Sequence, residues 1–342
     1  MKNLLVTFPV DLGNRTIESN LQEIFRKDMD FFRFAAQHAH ELDSGVDYKR
    51  NVRDRLLSIY SLRKKVDQYS KSGKYILFNG LSPAFLSYGS WQPEKTAIAF
   101  DWTRLLYPDV LGEKLEKNWV FKLHRQTLRR CPKILCWTDA IMKNLMEHYG
   151  VSSTQLHKVP APFLVAKLDI APRPTPSKPR VLFVGGDMHR KGGDVLVKSF
   201  EKELRPKCDL TMLTSNQNSK VDGIKYITGV RYGTAQHRKT YEDHDILVLP
   251  TRIDAYPQVL GEAAAAGLAV ITTKHALGAN EVIKNGESGY IFDTPEECVQ
   301  GLGGVLNNIN LIDSLKHVGY RHMHEMFSEE RIRKTYLDIL NN

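Results

Sequence analysis

The sequence predicts an α/β protein built from two doubly wound, Rossmann-like parallel-sheet domains, and three observations carry that expectation. Short apolar runs of strand length alternate with longer segments of helical period along the chain. A proline-rich stretch, Pro160 to Pro179, holds six of the 15 prolines and divides the chain nearly in half. The chain has 342 residues, which at roughly 150 per domain is enough for two sizeable cores.

The elements follow in order. In the first half the apolar runs predict strands at Leu4 to Phe8, Tyr75 to Phe78, Thr96 to Phe100 and Lys133 to Trp137. In the second half they predict strands at Arg180 to Val184, Leu210 to Leu213, Ile246 to Pro250, Ala269 to Thr272 and Gly289 to Phe292. Near-continuous apolar runs of this kind suit parallel strands buried on both faces. Helices are expected at Lys49 to Ser70, Ala140 to Tyr149, Gly193 to Leu204, Pro257 to Ala266 and Glu329 to Leu340. The prolines between the halves lack a donor N–H and disfavour helix in the preceding residue, so they predict an extended linker. The organisation is then an N-terminal domain over 1–160, a linker over 161–179, a second domain over 180–325 and a terminal segment over 326–342. That terminal helix is expected to cross back to the N-terminal domain.

Composition narrows the classes. With 42% apolar and 25% charged residues the chain is neither collagenous, a coiled coil nor wholly disordered. The longest apolar run, Ala263 to Ile271, falls far short of the ~20 residues that span a bilayer. Met1 to Val10 is cut by Pro9 and reads as a first strand, not as a signal peptide, so a cytoplasmic protein is expected. Four scattered cysteines, Cys131, Cys136, Cys208 and Cys298, form no C-x-x-C pair and are expected to be reduced and structural.

The net charge of +9 is uneven. Residues 1–160 carry 25 Lys/Arg against 17 Asp/Glu, and residues 161–342 carry 23 against 22. Most of the surplus lies in Lys49 to Lys74, where nine basic residues face two acidic ones, Asp54 and Asp67. Val52, Leu56, Ile59, Val66 and Tyr69 recur at helical spacing, so an apolar stripe is expected behind a cationic face. Two readings stand: a surface helix with solvated charges, or a face drawn to anionic lipid headgroups at ~1 kcal/mol per basic residue. Nucleic-acid binding is a further reading of the charge, but the sequence has no aromatic-basic interleaving of the RNP kind.

In doubly wound sheets ligands bind beyond the carboxyl ends of the strands. The first such loop of the second half runs from Gly185 and Gly186 through Arg190 and Lys191 to Gly193. Glycines admit phosphate oxygens close to the backbone, and the two cations add charge, so the loop is an anion cradle or a glycine-rich turn. It matches neither the P-loop nor the spaced dinucleotide pattern. The second loop, Thr251 to Tyr256, ends at Pro257, which suits a first helical position and aims the helix N-terminus at the same crevice. Asp254 precedes that helix and Glu262 lies about a turn and a half inside it, a pair of acceptors suited to sugar or ribose hydroxyls. The alternative makes Asp254 a partner of the helix dipole and Glu262 a surface residue, which the tight Ala263–Gly267 run argues against. The triplets Asp28-Met29-Asp30 and Asp243-His244-Asp245, and the His38/His40 pair, are read as solvated surface and not as metal ligands.

Phe183-Val184-Gly185, Arg190-Lys191-Gly192, Ile246 to Pro250, Asp254-x7-Glu262 followed by Ala263 to Gly267, and Glu281 to Gly289 occur in an order that resembles the donor domain of retaining GT-B glycosyltransferases of family 4, the "glycosyl transferases group 1". The resemblance implies two Rossmann-like domains facing across a cleft and transfer of a sugar from a UDP- or GDP-linked donor to a glycan or lipid-linked acceptor, without metal or other cofactor. It implies cell-surface polysaccharide or glycolipid synthesis, at the inner face of the cell membrane if the anionic surface is used. By the same resemblance Glu262 takes the ribose hydroxyls, Asp254 the donor sugar and Lys191 the diphosphate. Gly185, Gly186, Arg190, Ala255, Tyr256, Pro257, Gln258 and Val259 then belong to the donor site, Gly13 lies near the diphosphate and Asp101 contacts acceptor or sugar. Gly186 stands where the family commonly has Arg, and Asp254 where it has Glu, so a catalytically impaired nucleotide-sugar-binding scaffold is the alternative.

Overall fold

The structure is a computed structural model, and it describes residues 2–8, 12–34, 48–100, 102–103, 105–106, 119–215 and 221–342. The chain forms two compact units, Met1–Pro162 with Glu330–Asn342, and Phe163–Glu329.

The first unit contains β1 (Asn3–Thr7), α1 (Leu12–Ile24), β2 (Met29–Arg33), α2 (Tyr48–Lys71), β3 (Ile76–Asn79), α3 (Leu81–Leu86) and β4 (Thr96–Phe100). It continues through α4 (Trp119–Arg130), β5 (Lys133–Cys136), α5 (Asp139–Asn144) and β6 (Leu156–Lys158). The strands form a six-stranded sheet, β2-β1-β3-β4-β5-β6, with parallel pairing throughout. Leu4, Leu5 and Val6 on β1, and Ile76, Leu77 and Phe78 on β3, are buried, as strands covered on both faces require.

The second unit contains β7 (Arg180–Val184), α6 (Gly193–Ser199), β8 (Asp209–Leu213), β9 (Ile224–Ile227), α7 (Ala235–Glu242), β10 (Ile246–Leu249) and α8 (Gln258–Ala265). It ends with β11 (Ala269–Thr273), α9 (Ala279–Val282), β12 (Gly289–Phe292), α10 (Pro295–Val305) and α11 (Ile309–Met326). Its sheet runs β12-β11-β10-β7-β8-β9, again parallel. The order reverses direction at β7 and β10, and that switch point is where the two candidate loops emerge.

Helix α12 (Glu329–Asn341) returns to the first unit. Its buried Tyr336 accepts a hydrogen bond from Trp137 Nε1 at 2.9 Å and donates to the Pro160 carbonyl at 3.2 Å. Arg333 forks both oxygens of Asp28 at 2.6 Å.

The stretch expected as an extended linker is packed: Phe163, Leu164, Val165, Leu168 and Ile170 are buried, and Thr175 bonds to Asp313 on α11 through both its N–H and its hydroxyl. Apolar side chains between the prolines give it a surface to bury. Other expectations are corrected. The acidic triplets are not solvated surface. Asp28 is held by Arg333, and Asp30 accepts a 2.7 Å bond from Tyr69. Asp245, at the start of β10, is buried and accepts from Arg180 Nε at 2.9 Å and Nη2 at 3.1 Å, with buried Lys316 Nζ 3.3 Å away. Burial alone would raise that carboxyl, but the Arg180 hydrogen bonds and Lys316 hold it below the usual carboxylate range.

On α2 the buried stripe is Leu62, Val66 and Tyr69, whereas Leu56, placed in the stripe by its spacing, is 62% exposed. Ile59 is half-buried against the core, so burial of the stripe grows toward the later turns of α2. All four cysteines are unpaired and buried, and loss of hydration pushes the Cys131, Cys136 and Cys208 thiols up to about 12. Among the described residues no helix is long and apolar enough to cross a membrane.

Candidate functional site

The site grows from one steric fact. Gly192 sits at φ +75°, and a Cβ there would lie 1.8 Å from the Pro250 carbonyl oxygen, so only glycine lets the loop after β7 lie directly on the end of β10. The loop is a tight turn: Lys191 N–H donates to the Asp187 carbonyl at 3.0 Å, Gly192 N–H to His189 at 3.1 Å and Gly193 N–H to Met188 at 2.7 Å. Asp187 Oδ1 accepts from Arg190 N–H at 2.9 Å. Gly185 completes the turn, since a Cβ there would come within 3.0 Å of the Lys191 stem.

The contact of the two loops delivers Arg190 and Lys191 to Asp254. Lys191 Nζ donates to Asp254 Oδ2, Arg190 Nη1 lies 3.6 Å from the same oxygen, and Arg190 also donates to the Ile253 carbonyl at 3.1 Å. Both side chains of the Lys191–Asp254 pair are largely buried. Asp254 is fixed from its other side as well: its N–H donates to the His275 carbonyl at 3.0 Å, and its carbonyl accepts from Leu277 N–H at 2.9 Å. Tyr256 is buried against Gly278, where a Cβ would come 2.4 Å from its ring.

Helix α8 begins at Gln258, with Pro257 as its N-cap, one residue later than the first-position proline expected from sequence. The opening N–H groups of a helix have no intrahelical acceptor and carry its positive dipole end. Gln258 is buried there, and neither atom of its amide has a partner among the described residues. Glu262, a turn further in, is 4% exposed. The reading of Glu262 as a surface residue is thus excluded. Ala255 and Val259 are half-buried beside Asp254 and Gln258, while Gly186 is exposed and its own Cβ position faces Ser215 Oγ at 3.4 Å. Gly13 lies in the first turn of α1, in the other unit. Asp101, and the His38/His40 pair, lie outside the described residues.

Four residues of the site were not legible as such. Arg252 forks Asp194 on α6 at 2.7 and 2.9 Å, tying the second loop to the helix that follows the first. Burial raises the Asp194 carboxyl, but the Arg252 guanidinium outweighs it and holds the group below its ordinary value. His237 and Tyr241, one helical turn apart on α7, both reach Glu262: Tyr241 donates its hydroxyl to Oε2, and His237 Nε2 lies 3.5 Å from the same oxygen. These contacts join residues 21 to 58 positions apart, and no local motif marks them.

Residues 178–308 match the family model described as "Glycosyl transferases group 1". The matched segment runs from β7 to α10 and contains Arg190, Lys191, Asp254 and Glu262. An uncharacterized glycosyltransferase of Methanocaldococcus jannaschii, MJ1607, is 24% identical over 171 residues, covering 46% of this chain and 44% of the relative. The chain therefore matches less than half the length of that curated relative.

Solved structures resemble the whole chain. Anabaena Alr3699/HepE, determined with UDP-glucose, superposes with a TM-score of 0.74 at 12% identity over 100% of this chain and 99% of the other. A sucrose-phosphate synthase of Thermosynechococcus elongatus gives 0.71 at 14% identity over 99% and 98%. WaaG, a glycosyltransferase involved in lipopolysaccharide biosynthesis, gives 0.64 at 12% identity over the full length of both. At such identities the likeness is one of fold. Two six-stranded parallel sheets with flanking helices match the GT-B architecture of these glycosyltransferases, and the stretch similar to the group 1 model includes the whole second sheet.

Proposed function

We propose that the protein transfers a sugar from a nucleoside-diphosphate sugar, UDP- or GDP-linked, to a glycan or lipid-linked acceptor, with retention of anomeric configuration. The observation that carries the reading is the convergence of Arg190, Lys191 and Asp254 at the N-terminus of α8, with Glu262 buried one turn behind. The structure of HepE in complex with UDP-glucose, a protein of this fold, supports the reading.

In the proposed complex the diphosphate lies between the α8 N-terminus and the Arg190–Lys191 pair, with Arg190 supplying the charge that Gly186 does not. Glu262 accepts the ribose hydroxyls and Asp254 the donor sugar, with Ala255 to Val259 lining the same tip. Breaking the bond from the anomeric carbon to the phosphate oxygen sends its electron pair to the diphosphate. The acceptor hydroxyl oxygen bonds that carbon on the same face and gives its proton to the departing phosphate oxygen. Fixed cations and helix N–H groups aimed at the developing charge are the largest contribution such a site makes. The proposal assigns that charge to protein groups and uses no metal ion.

A lipid-linked acceptor, and with it glycolipid or cell-surface polysaccharide synthesis, is favoured by α2. Leu56, Leu57 and Tyr60 are 62%, 56% and 66% exposed beside exposed Arg53, Arg63 and Lys64, an apolar and cationic face suited to an anionic membrane surface. Calorimetric titration with UDP and GDP tests the donor site. One nucleotide is expected to bind, and Glu262→Ala to weaken it about 10-fold or more, as loss of a charged hydrogen-bond acceptor does. Undiminished binding in that variant overturns the assignment.

A further inference from the structure

Glu262 is a carboxylate buried on a helix of alanines, and the structure supplies it with two unusual neighbours. Thr234 caps α7 by accepting a 3.2 Å bond from His237 N–H, which fixes the helix start. His237 and Tyr241 then share one face of α7, and their rings meet edge-on, 5.2 Å between centroids. Tyr232 also packs edge-on against His237, at 5.2 Å. Tyr241 is fully buried and donates to Glu262 Oε2, while His237 Nε2 stands 3.5 Å from that oxygen. Both contacts fall on Oε2, and among the described residues none falls on Oε1.

The chemistry of this division is specific. A glutamate has three side-chain torsions, so holding it in one rotamer costs entropy that a ligand would otherwise have to offset. Burying its charge without a partner is costly, and a phenol hydroxyl donating to one oxygen relieves that cost while leaving the other oxygen's lone pairs open. Burial first, and then the carboxylate itself, raise the Tyr241 phenol well above its ordinary value, so it remains a donor at all physiological pH.

We infer that Tyr241, backed by His237, is a positioning residue that locks Oε2 of Glu262 and thereby presents Oε1 to the two ribose hydroxyls, making this pair the element that selects ribonucleotides over deoxyribonucleotides. The inference rests on the proposed role of Glu262 and extends it to residues on a different helix.

The test is calorimetric titration of the full chain and of Tyr241→Phe with the nucleoside diphosphate that binds and with its 2′-deoxy counterpart, alongside Glu262→Ala. The unmodified protein is expected to prefer the ribonucleotide at least 10-fold. Tyr241→Phe is expected to lose about 5- to 10-fold in ribonucleotide affinity, with less than 2-fold change for the deoxynucleotide, so that the preference collapses. Equal losses for both ligands, or an unchanged preference, overturn the inference. If Glu262→Ala leaves the preference intact, the ribose role of Glu262 falls as well, which separates failure of the underlying reading from failure of this one. Should Tyr241→Phe not fold, His237→Phe keeps the ring contacts and removes Nε2. The same selective loss, about 2- to 3-fold, is expected, and an unchanged preference overturns the inference.

Discussion

Lys191 Nζ donates to Asp254 Oδ2 across two loops that leave neighbouring strands, β7 and β10, at the switch point of the second sheet. Sixty-three positions of sequence separate them. The pairing is made by the Gly192–Pro250 contact beneath it, so a backbone constraint sets the electrostatics of the site.

Lys191→Met should lower kcat by about 100- to 1000-fold, the range for removing one preorganised donor aimed at developing charge. Arg190→Met should cost less, because Arg190 is farther from Asp254 and more exposed. Steady-state kinetics on the transferred sugar compares the two, and an Arg190 loss equal to or larger than that of Lys191 would contradict the ordering.

Gly192→Ala places a methyl on the Pro250 carbonyl in a left-handed backbone conformation. The conformation alone costs about 1–3 kcal/mol, and the overlap adds to it. A clear drop in melting temperature with loss of nucleotide binding is expected. A variant as stable as the parent would mean that the two loops do not touch.

Arg252→Gln removes the fork on Asp194 that ties the second loop to α6. The pair is partly exposed, so a stability loss of about 1 kcal/mol or less is expected. The kinetic effect should fall mainly on KM for the donor. An unchanged KM would show that the two loops are held without it.

Stability should fall as pH falls, in two stages. Burial lowers the His244 pKa below 6.5, so the unfolded chain takes up the proton first, and stability declines from about pH 7 downward. Asp245 is depressed below 3.8 by Arg180 and Lys316 against the opposing effect of burial, so its contribution persists above pH 4 and is lost below it. Melting curves across pH 3–8 check both stages, and His244→Gln should flatten part of the upper one. Burial lowers the His157 and His322 pKa values too, so some slope should remain in that variant.

Among the described residues nine of the twelve strands were legible as apolar runs, and the three that were not, β2, β6 and β9, all lie at sheet edges. These strands are less covered than the central ones, and Asp30 and Arg33 on β2, His157 on β6 and Lys225 on β9 interrupt the run that marks a central strand. The site divides the same way. Lys191, Asp254 and Glu262 stand on strand-to-helix loops or one helix turn beyond, where pattern and chemistry coincide. Arg252, Asp194, His237 and Tyr241 act through partners 21 to 58 positions away, and spacing along the chain carries no trace of that. The Asp243-His244-Asp245 triplet was misread for the same reason, since its partners Arg180 and Lys316 are supplied by other elements.

The central claim is tested most directly by turnover. The purified protein is incubated with a panel of UDP- and GDP-linked sugars, and release of nucleoside diphosphate is measured for the parent and for Asp254→Ala. The account predicts release from at least one donor, abolished in Asp254→Ala while nucleotide affinity is largely kept. Nucleotide binding with no release from any donor in the panel, with or without lipid-linked or glycan acceptors, would contradict it and leave a binding scaffold.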